Sequence, residues 1–267
     1  LTVTAGLFNS LIGYESLYAR DNINYSRSWI ADNSPYLMFG VNTRYPVGDD
    51  VAVTLFVINK YWHLTNPNNL PSYGAQAAWK PTSRWTLTQN VYYGPDQANT
   101  SLQFWRLFSD SILEWKDDAM TLALSYDVGT ENLAGQPGNP RTFWMGAALF
   151  TRWNVAGPWT VGVRPEFYWD PDGRLTEFQQ FVKAITSTLE YKMPVGFTNA
   201  TLRLEYRYDE STGSQGGFFK DGNFPTGQPV LTPGQHLLFF GLLWTFDSPR
   251  APSPATRYAD DSRHPAP

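Results

Sequence analysis

Arg203, Glu205 and Arg207 stand two residues apart, with Leu202, Leu204, Tyr206 and Tyr208 in the alternate positions. Arg164 and Glu166 repeat the arrangement among Val161, Val163 and Phe167. Opposite charges at this spacing could serve as an acid–base pair, as metal ligands, or as a fixed field across a polar space. The first two need support that the chain withholds. His63, His236 and His264 are scattered, and none has a second histidine or an acidic residue at zinc-ligand spacing, so they read as structural or solvated. With no cysteine there is no thiolate ligand, Cys nucleophile or disulfide. Asp170-Pro-Asp-Gly173 lacks the further acidic ligands of a calcium loop and is first a turn signal. No phosphate-cradling loop, dinucleotide fingerprint or nucleophile elbow occurs. The sequons at Asn24, Asn99 and Asn199 are short enough to arise by chance. The expectation is a non-enzyme with no cofactor and no metal, leaving a field across a polar space as the chemistry to explain.

Spacing of two means strands, because alternate side chains leave a strand on opposite faces. Met120–Asp127 sets Met120, Leu122, Leu124 and Tyr126 against Thr121, Ala123, Ser125 and Asp127, and Trp159–Asp170 behaves alike. Twelve candidate strands lie near 1–8, 35–45, 51–62, 72–80, 84–93, 102–116, 119–128, 141–153, 159–170, 179–191, 198–209 and 235–246. Connections after even-numbered strands are short: Pro46–Asp50, Pro81–Ser83, Asp117–Asp118, Asn154–Pro158 and Met193–Phe197. The others, 9–34, 63–71, 94–101, 129–140, 171–178 and 210–234, are long. Such alternation suits an up-and-down antiparallel barrel in an outer membrane, with short periplasmic turns and long external loops, and not a Greek-key sandwich.

Composition agrees. Only 16% of the 267 residues are charged, another 16% are aromatic, and the net charge of −4 gives no footprint for nucleic acid. The best apolar runs, Thr142–Thr151 and Leu237–Phe246, are too short for a helical span yet long enough for a tilted strand. Tyr45, Trp62, Trp79, Trp85, Tyr93, Trp115, Trp153, Trp159, Trp169 and Tyr191 fall at or near expected strand ends, where a bilayer places its aromatic girdles. The chain starts at Leu1 without a basic-then-apolar leader, so a signal peptide has been removed or the chain is a fragment. The expected organisation is a transmembrane barrel over 1–246 and a flexible, proline-rich tail over 247–267.

Charges at strand centres must then point away from lipid. The candidates for a pore lining are Arg44, Arg106, Glu114, Arg164, Glu166, Glu190, Arg203, Glu205 and Arg207. They either orient water and polar solutes or plug a narrow barrel as ion pairs. Connection 9–34 carries Glu15, Arg20, Asp21 and Arg27 among Tyr14, Tyr18, Tyr25 and Trp29, a composition that argues against disorder. The expectation is that it folds inward and narrows the lumen, the alternative being a loop packed over the rim.

The segment Gly6-Leu-Phe-Asn-Ser-Leu-Ile-Gly13-Tyr-Glu15, followed by Asn22-Ile-Asn-Tyr25-Ser-Arg27-Ser28, resembles the OmpL-like β-barrel porins of Gram-negative bacteria. So do Gly40-Val-Asn-Thr-Arg-Tyr-Pro46 and Ala78-Trp-Lys-Pro81 leading to Tyr92-Tyr-Gly-Pro95. The resemblance spans most of the chain and implies an outer-membrane channel for passive diffusion of small hydrophilic solutes or ions; an oligomer is open, since the sequence does not fix the oligomeric state. Members of that family look longer at the N-terminus, which implies that twelve strands understate the intact barrel. Two other functions stay open: a soluble carbohydrate-binding β-sandwich using Trp and Tyr as sugar platforms, and a structural outer-membrane barrel that grips a partner without conducting.

Overall fold

In the computed structural model, which describes residues 1–195, 198–213, 217–223 and 229–246, the two-residue period becomes a run of antiparallel strands. They are β1 (Thr2–Asn9), β2 (Leu37–Pro46), β3 (Val51–Ile58), β4 (Ser72–Trp79), β5 (Trp85–Pro95), β6 (Trp105–Lys116), β7 (Met120–Asn132), β8 (Arg141–Ala156), β9 (Trp159–Asp170), β10 (Gln180–Val195), β11 (Thr198–Thr212), β12 (Phe218–Asn223), β13 (Pro229–Thr232) and β14 (Gly234–Phe246). Twelve form one sheet in the order β1 to β11 and then β14, so every strand pairs with its predecessor or successor in that series. This is the up-and-down order expected, and it leaves no room for a Greek-key crossover. The sheet is barrel-like but not closed: β1 and β14 are its two edges. The expected tail, 247–267, lies outside the described residues.

Two departures from the expected limits have local causes. The third strand stops at Ile58, short of Trp62, because Lys60 and Tyr61 turn inward and are buried. The N–H groups of Tyr61 and Trp62 there donate to Asp96 (2.9 and 3.1 Å). The connection over 210–234 contains the hairpin of β12 and β13, too short for a period of two to stand out.

Burial shows which face is which. On β11, Leu204 and Tyr206 are 46% and 43% exposed, while Glu205 and Asp209 are at 0%. The outer face is the apolar one, the reverse of a soluble barrel. Aromatic pairs sit at the ends of this band: Trp159 against Tyr191 (ring centroids 4.7 Å apart) towards the short turns, and Tyr93 with Trp105 (5.6 Å) and Phe143 with Trp169 (5.9 Å) towards the long loops. β14 is the exception to the polarity rule, since Leu237, Phe239 and Leu243 share its inner face, and Tyr25 packs on Phe239 (6.0 Å). The outer band predicts a strong position effect. Leu204→Arg is expected to lower stability in lipid vesicles by about 2–4 kcal/mol, the cost of a guanidinium at mid-depth; denaturant titration checks it, and an unchanged midpoint would place that face in water.

Candidate functional site

Residues 10–36 connect β1 to β2, yet strands far along the chain hold them. The Gly13 N–H donates to Asp110 and the Tyr14 hydroxyl to Glu114, both on β6 and both at 2.8 Å. Further on, the Tyr25 and Ser26 N–H groups donate to Glu205 on β11 (2.6 and 2.8 Å), and the Trp29 N–H donates to Glu166 on β9 (2.6 Å). Asn24 reaches Thr188 on β10 (2.8 Å), and the Trp29 indole reaches Asp209 on β11 (2.9 Å). The loop therefore lies across the concave side of the sheet.

Arginines on the same strands bond the loop with the opposite polarity. Arg164 donates to the carbonyls of Ser26 (2.7 Å) and Arg27 (3.0 Å), and Arg207 also donates to Arg27 (2.5 Å). Arg203 donates to the carbonyls of Ala19 (2.7 Å) and Asn22 (2.8 Å). Irregular backbone away from bulk water must have its N–H and C=O groups satisfied. A wall alternating carboxylate and guanidinium every second residue supplies both acceptors and donors, and that is what β9 and β11 present.

The loop also has structure of its own. Ser28 caps the single helical turn α1 (Trp29–Asp32) by accepting from the Ala31 N–H (3.2 Å). Glu15 in turn accepts from the Ser28 N–H (2.9 Å) and its hydroxyl, and pairs with Arg164 (3.2 Å). Burial pushes the Glu15 carboxyl up in spite of that arginine, and burial followed by the Glu114 carboxylate pushes the Tyr14 phenol up, which keeps it a donor. The wall admits the loop where it lacks side chains: a Cβ on Gly146 or on Gly162 would come within 2.7 Å of a methyl of Ile30 or Ile23 respectively.

Of the wall candidates, Arg164, Glu166 and Arg207 form one buried cluster, Arg203 and Glu190 a second, and Glu205 bonds the loop and Thr188. Arg164 pairs with Glu166 (3.0 Å), Arg203 with Glu190 (2.8 Å) and Arg207 with Asp209 (2.8 Å). Glu114 is half-buried beneath Tyr14. Arg106 belongs to a separate cluster near the long loops, fully buried between Glu131 (2.9 Å) and Asp96 (3.2 Å) with the rings of Tyr61 and Trp144 over its guanidinium. Arg44 shares the inward parity of Asn42 but stands exposed at the short-turn end. Among the loop candidates, Arg27 bonds the carbonyls of Ser16 (2.8 Å) and Leu17 and stacks on Tyr36 (3.9 Å), so it braces the loop from within. Arg20 and Asp21 form an exposed pair (3.6 Å) at the loop's tip. His63 is exposed in its loop, His236 points outward against the Tyr206 hydroxyl (2.8 Å), and His264 lies outside the described residues. Asp170 spends its carboxylate on the N–H groups of Arg174, Leu175 and Thr176 (2.8 Å each). Among the described residues no group of three or more histidines and carboxylates is placed to hold a metal ion.

The candidates omit several inner groups, notably Asp110, Asp127, Glu131, Arg152 and Asp209, all of which share the inward parity of residues that were chosen. Asp110 and Asp127 face each other across β6 and β7, both buried, and among the described residues neither has a Lys or Arg in ion-pair contact. Asp110 holds Gly13 and Asn90 (2.8 Å each). Asp110→Ala is therefore expected to cost roughly 1–3 kcal/mol of stability for the orphaned donors and to lower the melting temperature accordingly. Asp127→Asn, which removes one of two crowded like charges, should leave it unchanged or raise it. Thermal denaturation followed by circular dichroism compares the two.

The outer membrane channel DcaP of Acinetobacter baumannii has a similar fold: TM-score 0.59 at 11% sequence identity, over 90% of this chain and 71% of that one. No curated protein matches the chain in sequence. An inner wall of paired charges behind an apolar belt is the arrangement of an outer-membrane barrel, and residues 1–241 match the family described as "Putative beta-barrel porin-2, OmpL-like", so the chain belongs to that family of porin-like channels in the bacterial outer membrane.

Proposed function

We propose that the protein lets small hydrophilic solutes or ions diffuse passively across the outer membrane, with no chemical step, and that residues 10–36 form its constriction. The observation that carries this reading is the attachment of that loop to the inner faces of β6, β9, β10 and β11. A loop so placed divides the water-filled space and lines what remains with Glu114, Arg152 and Glu15, around a cavity of about 260 Å³. Selection then follows from width and from charges of both signs held close together. Lipid is the partner of the outer face. The density of buried loop–wall bonds also favours a second reading, a structural barrel sealed by its own side chains. Purified protein in planar bilayers and in liposome-swelling assays separates them. The channel reading expects stepwise current and permeation that falls with solute size, and negligible current for every solute would replace it with the sealed barrel.

A further inference from the structure

Charge is unevenly distributed along the barrel axis. Towards the short turns, the inward strand positions carry Arg44, Lys116, Arg152, Lys192 and Arg203 against Glu114 and Glu190. Towards the long loops, Arg106 and Arg207 are outnumbered by five carboxylates, those of Asp110, Asp127, Glu131, Asp170 and Asp209. In the acidic half Asp110, Asp170 and Asp209 accept from N–H groups and Glu131 pairs with Arg106, while Asp127, among the described residues, stands without a cation. In the basic half Arg203 is engaged by Glu190 and two loop carbonyls, but three cations keep spare capacity. Among the described residues neither Lys116 nor Lys192 forms an ion pair, and Arg152 gives only one nitrogen to Glu190 (3.0 Å).

These three cations are on alternate strands, β6, β8 and β10, and all three line one cavity of about 260 Å³ together with Thr121, Asn154 and the turn residues Asp117 and Asp118. In the ladder Thr121 pairs with both Lys116 and Arg152, which puts those two strands two spacings apart, roughly 10 Å. Long side chains from such positions can converge on one solute, and the cavity has the volume of roughly eight liquid waters. Of the two turn carboxylates in that lining, Asp117 caps the N–H groups of Ala119 (2.9 Å) and Met120 (2.8 Å), which leaves Asp118 set against three cations.

We propose that the short-turn mouth is a docking vestibule for polyanionic organic solutes, with Lys116, Arg152 and Lys192 as its cationic contacts. The cluster faces the axis, so its ligand is a dissolved carboxylate or phosphate ester and not a lipid headgroup. This rests on the channel reading for its purpose, but its binding step can be measured without conduction.

The probe is citrate, titrated calorimetrically into detergent-solubilised protein. Citrate is expected to bind the wild-type chain, more weakly as salt rises, and Lys116→Gln/Lys192→Gln is expected to weaken it by about tenfold or more. Both lysines are exposed, so the double variant should fold, and Lys183→Gln on the outer face serves as the control that changes nothing. In bilayers, citrate on the short-turn side should block current at a lower concentration than on the other side, and the double variant should lose that asymmetry. Equal citrate affinity in the wild type and the double variant, or no citrate binding at all, overturns the vestibule. Citrate binding that depends on both lysines in a protein passing no current upholds it and sinks the channel reading instead.

Discussion

Deleting residues 16–32 is expected to raise single-channel conductance severalfold while leaving the barrel folded. The deleted segment contains every loop group that Glu205, Arg203 and Arg207 bond, together with the Trp29 amide held by Glu166. What it leaves behind is still paired along the wall, because Arg164 keeps Glu166, Arg203 keeps Glu190 and Arg207 keeps Asp209. The freed side chains would face water, where a paired guanidinium and carboxylate are cheap to solvate. Fold retention can be checked by the heat-modifiable mobility of the barrel on gels, and conductance by planar-bilayer recording. A conductance equal to that of the full chain would remove the constriction from the mechanism, since the segment would then not stand in the path.

Arg164→Met should be the most damaging single substitution in the wall, costing about 3–5 kcal/mol. Arg164 bonds Glu166 (3.0 Å), Glu15 (3.2 Å), the carbonyls of Ser26 and Arg27, and the Thr186 hydroxyl (3.2 Å), all out of contact with bulk solvent. Methionine fills much of the volume but leaves Glu15 buried without its cation and Glu166 with only the longer contact to Arg207 (3.9 Å). Adding Glu166→Gln should recover part of the loss, because the second change removes one of the stranded charges. The contrast is Arg20→Ala, at an exposed pair whose partner is also exposed, where no measurable loss is expected. Urea titration in lipid vesicles gives all three values. Equal midpoints for Arg164→Met and Arg20→Ala would mean that the network contributes nothing to folding.

Parity carried most of the fold. A period of two on β7, β9 and β11, with turns alternating in length, gives strand order and which residues share a face, because a one-residue slip would invert both faces; which face looks outward rests on the aromatic strand ends. The places where the sequence misleads are those where tertiary bonding overrides pattern. Tyr61 and Trp62 look like a continuation of β3 and leave it for Asp96, which lies 35 residues beyond Tyr61. The site was legible as a set of residues but not as a set of bonds. Arg164, Glu166, Arg203, Glu205 and Arg207 can be picked out by spacing; that their partners are main-chain groups of residues 19–29 cannot, since irregular backbone has no residue type to betray it. Asp110 and Asp127 are not among the candidates although parity puts both inside, because neither has a charge of opposite sign two residues away to mark it as Arg164 and Glu166 are marked.

The inner loop has a bearing on how the protein is made. Its bonds to the wall join residues separated by 65 to 184 positions. Contacts of such long range close late, and these need β6 and β9 to β11 already assembled before Gly13, Tyr25 or Trp29 has anything to hold. The strands are therefore expected to pair first, and the segment that furnishes their concave side to seat last in biogenesis.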